Sequence, residues 1–276
     1  MRYSFVIPIF NEEASLPELH SRMQKLLSTL GDETEVLLIN DGSRDGSLIL
    51  LRELAEQDTR YKIISFSRNF GHQTAITAGM DYSSGQAIII MDADLQDPPE
   101  VVHALIAKWK EGYDVVYAVR KSREGESAFK KISAKIYYRL LNRLSQVDIP
   151  ADTGDFRLVD RGALDAFLYN REGHRFVRGL FSWVGFKQIG VEFDRHERFA
   201  GETNYPLKKM IKLAADGILS FSYVPLRFVM QIGFIVAGIS LILCLYGLWG
   251  YLHDNVIRGW TSLFIVVYFF CRGQII

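Results

Sequence analysis

The sequence predicts an α/β protein in which a mostly parallel sheet is covered by helices and a C-terminal segment crosses a membrane. Three observations predict it. Short apolar runs alternate with stretches of helical spacing, which is the pattern of parallel strands joined by crossover helices. Polar, acid-rich turns follow four successive runs. Residues 228–252 carry no Asp, Glu, Lys or Arg.

Taken in order, the runs Phe5 to Ile9, Glu35 to Asn40, Lys62 to Ser65, Ala87 to Met91 and Asp114 to Val119 read as strands. Between them, Leu16, Leu19, Met23, Leu26 and Leu27 share one face of a helix, as do Leu48, Leu51, Leu54 and Ala55, with charges on the other side. Strand one ends in Pro8 to Glu13, strand two in Asn40-Asp41-Gly42-Ser43, strand three in Arg68-Asn69-Phe70-Gly71-His72, and strand four in Asp92 to Pro99. Parallel strands bring such ends to one edge, where open α/β sheets bind ligands. Each turn also has an ordinary structural use: Asn40 to Ser43 suits a turn and helix cap, and Gly71 suits a positive φ.

At residues 87–91 a uniform apolar run opens onto Asp92-Ala93-Asp94-Leu95-Gln96-Asp97-Pro98-Pro99. Two carboxylates two positions apart on an extended segment point the same way, and a shared hard cation such as Mg²⁺ or Mn²⁺ relieves their repulsion. An acidic helix start followed by proline has the same spelling.

The chain has 276 residues, 49% of them hydrophobic, with 32 Lys+Arg against 32 Asp+Glu. Balanced charge gives no global field for nucleic acid, so electrostatic binding must be local. Cys244 and Cys271 lie in apolar stretches, not at metal-ligand spacing. Neither a Gly-x-Gly-x-x-Gly turn nor a Gly-Lys-Ser/Thr loop occurs at the first helix, which leaves the dinucleotide and P-loop folds without their fingerprints. The N-terminus moves straight into a strand without a signal-peptide core, so the first domain is expected to stay in the cytoplasm.

A helix over residues 228–252 would be about 37 Å long, enough for a hydrocarbon core of about 30 Å. Lys208, Lys209, Lys212 and Arg227 precede it and only Arg258 follows in the next turn, so the positive-inside rule places residues 1–225 on the cytoplasmic side of an inner or plasma membrane. A second apolar run, Trp260 to Cys271 within residues 260–276, is too short to span as it stands and reads as an incomplete or re-entrant segment. Residues 129–144 carry Lys130, Lys131, Lys135, Arg139 and Arg143 opposite an apolar face, and residues 206–222 repeat the pattern. Both read as amphipathic helices at an anionic membrane surface; a solvated basic face over the core is the alternative.

As a set, Val6 to Glu13, Asn40 to Ser43, Arg68 to His72, Asp92 to Pro99 and Thr153-Gly154-Asp155-Phe156-Arg157-Leu158 resemble the family 2 glycosyltransferases with a GT-A fold, within them the polyprenyl-phosphate group of bactoprenol glucosyltransferases and dolichyl-phosphate mannose synthases. The resemblance runs from about residue 3 through the membrane segment. It implies a GT-A nucleotide-sugar-binding domain over residues 1–205. Pro8, Phe10, Asn11, Glu12, Asp41, Arg68, Gly71 and Asp92 would bind the nucleotide sugar, and Asp92, Asp94 and Gln96 would hold Mg²⁺ or Mn²⁺ against its diphosphate. Arg68 would bind phosphate or pair with a carboxylate. Arg120, Arg123, Lys131, Ser133 and Arg198 would grip the phosphate of a polyprenyl acceptor. Asp155 would stand beside that acceptor with Asp94 as its catalytic counterpart, either as a base or, because a phosphate monoester with a second pKa of about 6 is largely dianionic near neutrality, as a positioning group.

The implied reaction is inverting transfer of a hexose, with UDP-glucose the first choice of donor, to polyprenyl phosphate. A processive polysaccharide synthase shares the aspartates, but its Gln-x-x-Arg-Trp motif is missing: none of Trp109, Trp183, Trp249 or Trp260 follows an arginine. A catalytically silent membrane scaffold is the third reading, and self-association into a homo-oligomer is left open.

Overall fold

The computed structural model describes residues 2–121, 153–170, 176–194 and 224–253, with Gly259 and Leu263. Residues 1–221 and 222–276 form two separate compact units. The basic stretch 129–144, the stretch 206–222, Arg123, Lys131, Ser133 and Arg198 lie outside the described residues, as does the 260–276 run apart from Leu263.

Five strands stand where the apolar runs predict them: β1 (Tyr3–Ile9), β2 (Thr34–Asn40), β3 (Tyr61–Ser65), β4 (Ala87–Ile90) and β5 (Val115–Arg120). Two further strands, β6 (Thr153–Asp160) and β7 (Gln188–Phe193), complete a described sheet of order β3-β2-β1-β4-β6-β5-β7. Pairs β1–β2, β1–β4, β2–β3 and β5–β7 are parallel, whereas β6 runs antiparallel to both β4 and β5. The sheet is therefore mixed, mostly parallel. Reversal of β6 matters for the site, because Ile90 pairs with Arg157 and the earlier residues of β6 extend past the end of β4.

Helices α1 (Leu16–Leu30), α2 (Ser47–Gln57) and α4 (Val102–Lys110) pack with one face of the sheet, in a cluster that includes Phe5, Ile7, Leu38 and Ile89. Helices α3 (His72–Tyr82), α5 (Arg161–Tyr169) and α6 (Val177–Trp183) pack with the other, against Val6, Leu37, Ile39 and Ile90. Alternation along β1 and β2 sends successive side chains to opposite faces, and because helices cover both faces the two strands are buried throughout. On α1, Leu16, Leu19, Met23, Leu26 and Leu27 are buried at the predicted spacing. Each fully buried leucine is worth about 2 kcal/mol, enough to fix the helix on the sheet.

In the second unit, α7 (Val224–Leu252) starts four residues earlier than the charge-free run and takes in Arg227. Its stretch Leu226–Gly250 has a mean hydropathy of 2.5 and is long and apolar enough to cross a membrane. Phe234, Ile242, Leu245 and Trp249 on it are exposed.

Candidate active site

The edge formed by the ends of β1 to β4 begins with Pro8. Met91 N donates to Val6 O and Asp41 N to Ile9 O, so by alternation the backbone of Pro8 faces the β4 side, where β4 has already ended and no N–H is required. Asn11 follows at φ 54, a left-handed position that asparagine tolerates, and its side chain accepts from Arg44 N at 2.8 Å. Ser43 Oγ accepts from Asn11 N, and Glu12 Oε2 accepts from Ser15 Oγ at 2.7 Å. The two Asn11 contacts tie the β1 and β2 turns together beside a cavity of about 350 Å³ whose lining includes Phe10, Asn40, Ser43, Arg44, Arg68 and Asn69.

Asp41 is buried, and its two oxygens accept from Phe70 N at 2.7 Å and Gly71 N at 3.0 Å. That bridge fixes the β3–α3 turn, in which Gly71 at φ 103 takes a backbone conformation closed to most side chains. Gly42, at φ 68, lies so close to the backbone of Arg68 and Asn69 that a Cβ there would collide with it. The guanidinium of Arg68 stacks 4.0 Å from the centroid of Phe70 and donates to Asn69 O.

Behind that turn lies the charged centre of the edge. Asp155, on β6, is buried; Arg178 Nε donates to its Oδ1 at 2.8 Å and Arg178 Nη2 to its Oδ2 at 3.1 Å, a bidentate grip. Gln73 Nε2 donates to Oδ2 at 3.2 Å, while Gln73 Oε1 accepts from Val177 N at the start of α6. His72 Nε2 stands 3.2 Å from Asp155 Oδ2 and 3.5 Å from Asp92 Oδ1. The loop after β4 folds with Leu95 at φ 59, and Asp94 Oδ1 accepts from Gln96 N at 3.1 Å. Nearby, Arg120 Nη2 lies 3.8 Å from Asp97 Oδ1, with Gly154 leaving room for its guanidinium.

Electrostatics separate the acids. Burial opposes ionisation of Asp155, but the Arg178 guanidinium and the His72 hydrogen bond carry its pKa well below the usual carboxylate range. At neutral pH it is a fixed anion and a poor proton acceptor. Asp92 moves the other way: burial raises its pKa, His72 pulls it down, and the Asp155 and Asp94 carboxylates add repulsion that leaves it raised. Burial disfavours the charged form of His72, yet Asp92 and then Asp155 override it and lift its pKa to about 9.

Asp92 Oδ1 is buried without a hydrogen-bond partner among the described residues. An orphaned, repelled carboxylate oxygen is a place where a cation would be stabilised. Among the described residues no group of three or more His, Cys, Asp or Glu could hold a metal by itself. A pair of carboxylates that leaves the other positions to phosphate and water is, however, the usual protein share of a Mg²⁺ site at a nucleotide. The donor set fits a hard divalent ion on that basis.

Pro8, Phe10, Asn11, Glu12, Asp41, Arg68, Gly71, Asp92, Asp94, Gln96, Arg120 and Asp155 are the predicted site residues that the structure describes, on β1, β5, β6 or the turns after β1 to β4. His72, Gln73 and Arg178 were not predicted. His72 lay within a motif already noted, whereas Gln73 and Arg178 are joined to Asp155 only by the fold.

A model of the family described as Glycosyl transferase family 2 matches residues 4–168. The chain belongs to glycosyl transferase family 2. It is 51% identical over 267 residues to the "Uncharacterized glycosyltransferase YkcC" of Bacillus subtilis, covering 96% of this chain and 83% of that one. It is 39% identical over 280 residues to the "Prophage bactoprenol glucosyl transferase homolog" of Escherichia coli and to the "Bactoprenol glucosyl transferase" of Shigella phage SfV, each match covering 100% of this chain and 90% of the relative. Among solved structures, glucosyl-3-phosphoglycerate synthase of Mycobacterium tuberculosis, in complex with Mn²⁺, UDP and glucosyl-3-phosphoglycerate, superposes with TM-score 0.52 at 19% identity, over 78% of this chain and 76% of that one. The mannosyltransferase PcManGT of Pyrobaculum calidifontis, in complex with GDP-Man and Mn²⁺, gives 0.51 at 18%, over 69% and 55%. The fold is GT-A, and the glycosyltransferase resemblance read from the motifs is borne out.

Proposed function

We propose that this family 2 glycosyltransferase moves a hexose, glucose from UDP-glucose, to polyprenyl phosphate at the cytoplasmic face of a membrane, with inversion at the sugar carbon. The observation that carries the reading is that Asp92, repelled by Asp94 and by Asp155, meets Asp155, itself held by Arg178 and His72, at the ends of β4 and β6. The lipid acceptor and the glucose are supported by the relatives named bactoprenol glucosyl transferase, which match the whole chain. Membrane attachment is supported by α7. The positive-inside count supports a cytoplasmic catalytic unit.

In this reading the nucleoside lies against Phe10, Asn11, Glu12, Asp41, Arg68 and Gly71. Asp92 and Asp94, with Gln96, hold Mg²⁺ or Mn²⁺. The bound ion stabilises negative charge on the departing nucleoside diphosphate. The acceptor phosphate needs little help to attack, because a monoester dianion is already a nucleophile near neutral pH. Asp155, ionised and saturated with donors, serves by holding Arg178 and His72 in place rather than by taking a proton. Arg120, Arg123, Lys131, Ser133 and Arg198 are assigned to the acceptor phosphate, and the basic segments at 129–144 and 206–222 to the membrane surface.

A panel of labelled nucleotide sugars, offered with a short polyprenyl phosphate to membranes carrying the protein, tests this. Lipid-linked glucose should form from UDP-glucose, cease in excess chelator and return with Mg²⁺ or Mn²⁺. Transfer from another nucleotide sugar alone would overturn the donor; full activity in chelator would remove the metal.

A further inference from the structure

Gly154 is the second residue of β6, and its backbone does not require a glycine. It is not among the glycines at positive φ, so an alanine could adopt the same conformation. The constraint is one of space. A Cβ added at Gly154 would stand 3.1 Å from Arg120 Nη2, 3.7 Å from Asp97 Oδ2 and 3.8 Å from Arg120 Cζ, the three nearest heavy atoms beyond its chain neighbours. The first of these is inside ordinary van der Waals contact, so the guanidinium would have to give by a few tenths of an ångström.

The pairing of β6 with β5 puts the glycine there. Tyr117 pairs with Arg157 and Val119 with Thr153, so two steps along β5 are matched by four along β6. This bulge carries Gly154 and Asp155 side by side, and bulges re-aim the residues they hold. The two serve different partners: Asp155 is gripped by Arg178, whereas Gly154 faces Arg120, the last residue of β5. Arg120 is held without being used up. Its Nη2 lies 3.8 Å from Asp97 Oδ1, close enough for attraction but too far for a hydrogen bond, and its Nε is buried with no hydrogen-bond partner among the described residues. Asp97 is buried, where little solvent screens its pull. A guanidinium steered by charge, with donors left over, suits a phosphate, whose oxygens its planar fork matches.

We propose that Gly154 is a positioning residue for the acceptor phosphate: the space left by its missing side chain lets the Arg120 guanidinium, drawn in by Asp97, lie in the orientation that meets that phosphate. The inference rests on the assignment of Arg120 to the acceptor made above. A methyl group at 154 displaces the fork and weakens the acceptor severalfold, while the donor, bound by other residues, is left alone.

The test is a double-mutant cycle in the full-length protein: wild type, Gly154→Ala, Arg120→Lys and the double variant. Each is titrated with UDP and Mn²⁺, and then with a short, water-soluble isoprenyl phosphate in saturating UDP and Mn²⁺, alongside thermal melting. Gly154→Ala should weaken the isoprenyl phosphate about fivefold and UDP less than about twofold. Arg120→Lys keeps a cation for Asp97 but has no fork to crowd, so in that background Gly154→Ala should cost less than about twofold. Should Gly154→Ala melt early, Arg120→Lys should restore its melting temperature, because the crowding is gone. A Gly154→Ala protein that binds the isoprenyl phosphate as the wild type does, that loses UDP equally, that shows its full loss again beside Lys at 120, or whose early melting Arg120→Lys does not repair would overturn the role of Gly154. An Arg120→Lys protein that binds the isoprenyl phosphate as tightly as the wild type, or a wild type that binds UDP but no isoprenyl phosphate, would instead sink the acceptor assignment of Arg120 and this inference with it.

Discussion

Each edge of the sheet buries acids, and the two edges treat them differently. At the start of the parallel strands, Glu35 is fully buried and both its oxygens are satisfied by neighbouring element ends: Ser4 Oγ donates at 2.6 Å, Ser84 N and Oγ at 2.7 Å, and Lys62 Nζ at 2.6 Å. Ser4 Oγ itself accepts from Gly85 N. Burial raises the Glu35 pKa, but the Lys62, Ser4 and Ser84 hydrogen bonds take it down to about 2. At the opposite edge, Asp92 has a buried oxygen without a hydrogen bond among the described residues and a pKa pushed up by burial and by its acidic neighbours. The fold can satisfy a buried carboxylate fully. Where it does not, the unsatisfied oxygen suits the cation assigned to it under the proposed function, in the way of sites that trade stability for function.

Four changes sharpen or break that contrast, the largest effect first. Asp94→Asn should lower transfer by about a thousandfold, the size of losing one main electrostatic stabiliser of a leaving group, with melting nearly unchanged; labelled nucleotide sugar in vesicles measures it. Arg178→Ala leaves Asp155 buried beside too little positive charge, and urea denaturation of the catalytic unit should show a loss of about 3 kcal/mol. Neutralising Arg120 should raise the KM of the lipid acceptor more than that of the nucleotide sugar, and equal shifts would move Arg120 into the donor site.

The fourth is a pH effect at the other edge. The folded pKa of Glu35, about 2, lies below its ordinary value of 4.5, so its stabilisation is fully present above pH 4.5 and drains away as pH falls toward 2. Glu35→Gln should flatten that part of the acid unfolding curve, measured by circular dichroism. An unchanged slope would mean that other carboxylates set the acid limit.

The same contrast explains what the sequence revealed. Strands β1, β2 and β4 were legible because both faces are buried, and the partly exposed β3 and β5 because shorter apolar runs remain in them. In β6, buried Asp155 and Arg157 break the run, so the segment reads as a motif and its strand is invisible until its antiparallel pairing with β4 and β5 is seen. β7 is an edge strand with half-buried positions and lacks a clear period. Asp92 and Asp94 announced themselves by chemistry at a recognisable turn, and Asp155 through the resemblance of its motif. Their partners did not, because Gln73 and Arg178 meet Asp155 only after β6 reverses direction and α3 and α6 converge on it; a glutamine and an arginine on helix faces carry no local signal.

The account is tested most directly by crossing the two edges in one experiment, with melting temperature and transfer rate measured for Asp92→Asn and Glu35→Gln side by side. Asp92→Asn should lose transfer and melt at or above the wild-type temperature, since it removes a repelled buried charge. Glu35→Gln should lose about 2 kcal/mol of stability through its weakened charged hydrogen bonds, yet transfer at the wild-type rate per folded molecule. An Asp92→Asn protein that melts early and still transfers glucose would contradict the claim that this edge holds its acids for the reaction.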